Sequence, residues 1–154
     1  MTPAARWLVG GTVAIGLLGA GTLLWLNVGA ETTNTDPDSP SLVAHGKTVY
    51  VQHCASCHGA KLEGQSNWRE RLPNGRLPAP PHDPTGHTWH HSNKQLFDMI
   101  KDGTAGIVPG YETDMPAYKD ILSDADIWAV LSFIESTWPP EIRERQKRIS
   151  ERSH

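Results

Sequence analysis

The sequence predicts an all-α fold of about three to five helices, joined by long loops and organised around a ligand. Apolar residues recur at helical spacing in three stretches, and no alternating run is long enough to build a sheet. Twelve prolines and 14 glycines interrupt the rest. Only two Phe and three Tyr occur in 154 residues, so the domain has few large side chains of its own and needs something else to fill its core. That length accommodates one domain plus extensions.

The chain opens on a membrane-directed segment. From Trp7 to Val28 no charge occurs, and Arg6 precedes the stretch. A cleaved signal has an apolar stretch of roughly 7–15 residues and a membrane span about 20. This stretch has spanning length. As helix, Trp7 and Trp25 stand about 27 Å apart, which suits two interfacial belts. Residues 1–30 therefore read as an uncleaved single-pass anchor. The small residues Val28-Gly29-Ala30 ahead of Glu31 keep a cleaved signal open as the alternative, and both readings export the rest of the chain.

Residues 31–41 are polar, carry two prolines, and read as a flexible spacer. The domain is expected over 42–139. Leu42 to Cys54 has helical spacing, with Gly46 and Tyr50 on it. From Leu72 to Gly86, five prolines exclude a regular element and predict a fixed loop. Ser92 with Gln95 forms a capping-box signature for a helix to Lys101, striped by Leu96, Met99 and Ile100 and stopped by Gly103. Residues 103–118 read as loop. A further helix is expected from about Asp124 to Ser136, with Ile127, Val130, Leu131 and Ile134 on one face and Pro139-Pro140 at its end. The tail over 140–154 is a charged run, mostly solvated, with Glu141 and Arg145, and Glu144 and Arg148, spaced as helical ion pairs.

Cys54-Ala55-Ser56-Cys57-His58 is the strongest signal in the chain. In a C-x-x-C-H run both thiols can add to the vinyl groups on one edge of a haem while the next histidine meets the iron. Half a zinc site is the rival, but zinc takes four ligands and no second cysteine pair exists. A redox dithiol ordinarily follows a strand, and no strand pattern precedes this one. Two thiols consumed as thioethers also explain why the exported domain has no other cysteine.

On these residues the chain resembles the class I cytochromes c, in particular small membrane-anchored bacterial ones. The resemblance runs over residues 42–139 through Gly46, Tyr50, Cys54 to Gly59, Ala79-Pro80-Pro81, Asp114 to Tyr118 and the final Leu122 to Trp138 stretch. It implies a cytochrome c-like fold wrapped around one covalent haem c, its first and last helices crossing where Gly46 and Tyr50 meet Phe133. It also implies that the Pro80 carbonyl accepts the His58 ring N–H, fixing the imidazole.

The second axial ligand is read as Met115. Pro116 holds that residue extended in a loop with no packing face of its own, whereas Met99 lies on a helical stripe. His/Met ligation fills both faces of the iron and leaves no position for substrate, which favours electron transfer over catalysis. His82, His87, His90 and His91 surround Trp89. Copper or zinc binding is one reading of them. The favoured one has Trp89 at a haem propionate and the histidines solvated or holding the loop, with His82 or one of the others as a remote rival for the sixth position.

From Glu31 to Pro140, Asp and Glu outnumber Lys and Arg by 14 to 8, so a redox partner need not resemble those that dock on lysine-ringed cytochromes. The whole chain carries 14 Lys and Arg against 17 Asp and Glu, which gives no basic excess for nucleic acid. The expected function is a monohaem electron carrier, not an enzyme, passing single electrons between redox proteins at the outer, periplasmic face of a bacterial cytoplasmic membrane. The alternatives are a haem-bearing subunit of a larger oxidoreductase and, further off, a haem sensor or copper module.

Overall fold

The computed structural model describes residues 34–153. The apolar stretch read as a membrane anchor lies outside the described residues. Among those described, no helix is long and apolar enough to cross a membrane. Among the described residues there are six α-helices and no strand: α1 Pro40–His53, α2 Ala55–His58, α3 Asn93–Lys101, α4 Thr104–Ile107, α5 Asp124–Ser136 and α6 Pro140–Glu151, with a 3-10 turn over Thr88–His90 before α3.

The core is the crossing of α1 and α5. On α5, Ile127, Ala129 and Val130 are fully buried, and Val49 and Tyr50 of α1 meet them. Gly46 sets the distance of closest approach. A Cβ at that position would fall 1.9 Å from the Ala129 carbonyl oxygen and 3.0 Å from Phe133 Cβ, so any larger residue forces the helices apart. One turn on, the Tyr50 ring lies 5.5 Å from that of Phe133. Capping boxes start α3 at Ser92 with Gln95, and α5 at Ser123 with Asp126.

Three expectations are corrected. The spacer reading of 31–41 stops short of its end, because α1 already begins at Pro40 and the Asp36 N–H donates to Ser132 Oγ at 2.9 Å. The region expected to be loop contains one helical turn, α4, after Gly103 takes a φ of +75°. The tail leaves most of its charged side chains exposed, as expected, but one face of it is covered. It forms α6, packed on the 3-10 turn, with Gln146 buried and Ile142 against the core.

Candidate haem site

Helix α1 delivers the cysteines directly. The Cys54 N–H closes on the Tyr50 carbonyl at 2.9 Å, and the His58 N–H on the Cys54 carbonyl at 2.9 Å, so residues 54–58 form one tight turn. Gly59, at φ +81°, ends it, and its carbonyl accepts the Tyr50 hydroxyl at 2.8 Å. Cys54 is half-buried and Cys57 exposed. Burial, and then the neighbouring Cys57, push the free Cys54 thiol up to about 11.

His58 is buried, and its Nδ1 lies 2.8 Å from the Pro80 carbonyl, the bond expected from the resemblance. A carbonyl only accepts, so Nδ1 carries the proton and Nε2 keeps a free lone pair for a metal. Burial lowers the His58 pKa, and the Pro80 bond opposes this, leaving a neutral ring at neutral pH. The proline loop is fastened where it must be. Gln65 and Ala79 exchange two bonds, from the Gln65 N–H to the Ala79 carbonyl and from the Ala79 N–H to Gln65 Oε1, each 2.9 Å long. Gly64, at φ +68°, lets Pro80 and Pro81 pass so closely that a Cβ there would stand 2.5 Å from Pro81 N.

Sequence reasoning missed the part played by His82. Its ring stacks on that of His58 with centroids 4.0 Å apart and planes inclined by 23°, and its Nδ1 meets Thr88 Oγ1 at 2.8 Å. Burial, then His58 and His87, hold its pKa well below the usual imidazole value. Were His58 to hold a haem iron, a ring stacked face-to-face on His58 would stand with that residue rather than opposite it. The reading of His82 as a sixth-ligand rival is therefore corrected: it backs His58. Its place two residues after Pro80 was the available signal.

The other histidines disperse. The His87 ring stacks on Trp68 at 5.2 Å, the His91 ring stands edge-on to it at 5.4 Å, and the His90 ring lies 3.7 Å from that of Trp89. Among the described residues, no group of three or more His, Cys, Asp or Glu is placed to hold a metal ion. Trp89 itself is half-buried against the core, and its Nε1 is buried without an acceptor. An indole N–H in that position fits an anionic acceptor from outside the protein, such as a haem carboxylate.

The two methionines exchange expected surroundings. Met115 is half-buried against the core cluster, and its N–H donates to the Thr113 hydroxyl oxygen at 3.0 Å. Met99 is half-buried too, but it stands outside the set packed on the core. The inner face of α3 is made by Leu96, Phe97 and Ile100. The expected Met99 stripe is corrected, because residue 99 falls at the edge of that face. Around Met115, the loop is joined to the proline loop by an ion pair between Arg76 and Asp114. It is joined to α1 by the Tyr118 hydroxyl, which donates to the His53 carbonyl at 2.7 Å.

A helical fold with a C-x-x-C-H turn, a buried neutral imidazole held by a proline-loop carbonyl, and an unpartnered indole N–H defines a covalent haem-binding protein of the c type. The chain belongs to the cytochrome c family, whose pattern matches residues 43–138. It is 30% identical over 82 residues to cytochrome c-555 of Prosthecochloris aestuarii, covering 49% of this chain and 83% of that protein. It is 30% identical over 96 residues to the cbb3-type cytochrome c oxidase subunit CcoP of Azospirillum sp. (strain B510), covering 61% of this chain and 28% of the subunit. To the cbb3-type oxidase subunit FixP of Azorhizobium caulinodans it is 30% identical over 112 residues, covering 71% and 34%. The chain thus spans about a third or less of the two oxidase subunits it matches. No solved structure matches it. Membership of the family makes haem c the covalent cofactor, with the Cys54 and Cys57 pair present to carry it, and makes electron transfer the activity.

Proposed function

We propose that this protein is a monohaem electron carrier whose haem is bonded to Cys54 and Cys57, with His58 and Met115 as axial ligands, and whose N-terminal segment holds it at the outer face of a bacterial cytoplasmic membrane. The observation that carries the reading is the preparation of His58: neutral, buried, oriented by Pro80 and backed by His82. The iron supplies the one-electron chemistry, and the protein supplies orientation and exclusion of water. Met115 is the distal residue supported by its packing against the core cluster, on a loop fastened from two sides.

Met115→Ala tests the assignment. It is expected to abolish the near-infrared thioether-to-iron charge-transfer band of the ferric protein in magnetic circular dichroism, and to let the ferrous form bind carbon monoxide. Met99→Leu, close to volume-conserving, is expected to leave both unchanged and to cost less than about 1.5 kcal/mol. Survival of the band in Met115→Ala overturns the ligand. For the anchor, mass spectrometry of protein from native membranes decides: an N-terminus at Glu31 overturns it.

A second reading, a haem subunit of a membrane oxidoreductase, is favoured by the likeness to the two oxidase subunits. Stoichiometric co-purification with other subunits after mild solubilisation supports it, and a protein recovered alone in reducible form supports the free carrier.

A further inference from the structure

Helix α6 lies beyond the residues that the family pattern covers, yet it is seated on the haem-binding domain. Gln146, 2% exposed, donates to the His91 carbonyl at 3.4 Å and to the Asn93 side chain, and Ser150 Oγ accepts the Asn93 N–H at 3.0 Å. These bonds fix which side of the helix faces the 3-10 turn. They place Arg145 over Trp89, its guanidinium carbon 4.7 Å from the ring centroid.

That position is taken against a local alternative. Glu141, one turn before Arg145, is in the favourable order for a helical ion pair. The equivalent Glu144–Arg148 pair forms, at 3.2 Å, but the expected Glu141–Arg145 pair does not, and no acidic residue among those described forms an ion pair with Arg145. Beneath the guanidinium, the Trp89 indole N–H is buried without an acceptor. A buried donor without an acceptor and an exposed cation that pairs with no carboxylate therefore lie at the same turn. The same turn contributes Thr88, which is bonded to the His82 that backs His58.

An anionic oxygen acceptor satisfies both donors. We propose that Arg145, supplied by the C-terminal helix, is the counter-charge for a haem carboxylate received by the Trp89 N–H, so that an element outside the family domain tunes the midpoint potential of the iron. The proposal rests on the reading of Trp89 as a haem contact. A positive charge near the haem stabilises the ferrous form, which carries one positive charge fewer than the ferric, and removing it favours the ferric form.

The test is a spectroelectrochemical titration of the full-length holoprotein and its variants, detergent-solubilised. Arg145→Gln is expected to shift the reduced-to-oxidised ratio at fixed ambient potential about fivefold toward ferric, an effect that shrinks in high salt. That is about 40 mV for a one-electron couple. Arg145→Lys, which keeps the charge, should recover most of the shift, and Glu141→Gln should leave the potential unchanged. Trp89→Phe removes the N–H but keeps the ring, and should move the potential independently. If Trp89→Phe shifts it and Arg145→Gln does not, the Arg145 role is overturned and the Trp89 reading stands. If neither variant moves it, both fall. A shift in Arg145→Gln that Lys does not restore overturns the charge argument, since undocking of α6 then explains it, and amide exchange of Asn93 and Gln146 would show the undocking directly.

Discussion

The domain has two parts that are held together by different forces. Where α1 crosses α5, contact is apolar and close, with Ile127 and Val130 at zero exposure and Gly46 against the Ala129 carbonyl. Where residues 34–39 meet α6 at the far end of α5, contact is polar. The Asp36 N–H bonds Ser132 Oγ, Asp38 pairs with Arg143 at 2.7 Å, and Asn93 donates to Ser150 and Thr35 and accepts from Gln146. Glu135 lies at the join, 5% exposed, with Oε1 unpartnered at the edge of a recess of about 490 Å³. Burial of apolar surface depends little on salt or pH, whereas ion pairs and buried carboxyls depend on both. The crossing should therefore set the global stability, and the polar collar its response to solution conditions.

Breaking the crossing gives the largest effect. Gly46→Ala places a methyl group within bonding distance of a backbone oxygen, which neither helix can move aside without separating. Overpacking of this kind costs about 3 kcal/mol or more, and the helix-propensity gain of alanine returns about 1. A net loss of about 2 kcal/mol lowers the Tm by roughly 10 °C in a domain of this size. An unchanged melting curve would mean that the helices are not in contact at Gly46.

Glu135 sharpens the comparison. Burial pushes its carboxyl up to about 7, although the Thr35 hydroxyl and the Arg143 charge act to lower it. The native state thus holds this proton more tightly than the unfolded chain, whose carboxyl titrates near 4.5. The contribution of Glu135 to stability is greatest below that value, declines as pH rises toward 7, and is flat above it. The decline amounts to about 3 kcal/mol from this group. Glu135→Gln keeps a neutral side chain at every pH. Chemical denaturation should find it similar to wild type at pH 4 and more stable by up to about 3 kcal/mol at pH 8. Parallel pH profiles for the two proteins overturn the assignment.

The crossing was legible in the sequence and the collar was not, for one physical reason. Ile127, Val130, Leu131 and Ile134 repeat at the helical period, and Ser92 with Gln95 marks a helix start, because burial and capping leave local patterns. Thr35, Asp38, Asn93, Arg143 and Gln146 follow no period; each is an ordinary surface residue until the chain folds back on itself. The same holds around the haem. His58 and Pro80 were found from a motif and a resemblance, whereas the stacking of His82 on His58 and of Arg145 on Trp89 arises from tertiary packing. Local spacing even pointed the wrong way for Arg145, since it offered Glu141.

The smallest effect tests whether the collar is electrostatic at all. Arg143 and Asp38 are joined at 2.7 Å, with their side chains 29% and 77% exposed, so solvent screens the pair and its worth is about 0.2–1 kcal/mol. Asp38→Asn removes the charge and keeps the shape. It should leave the global Tm within about 2–4 °C of wild type, because the crossing of α1 and α5 is untouched. Local opening should respond more clearly. Amide exchange at Asn93 and Gln146 is expected to quicken by up to about fivefold at low ionic strength, the equilibrium counterpart of that energy. In wild type the same acceleration should appear when salt is raised to about 1 M, where the screening length falls to about 3 Å. If exchange in the collar is indifferent both to Asp38→Asn and to salt, the ion pair contributes nothing, and the uncharged bonds of Asp36, Asn93 and Gln146 hold α6 in place by themselves.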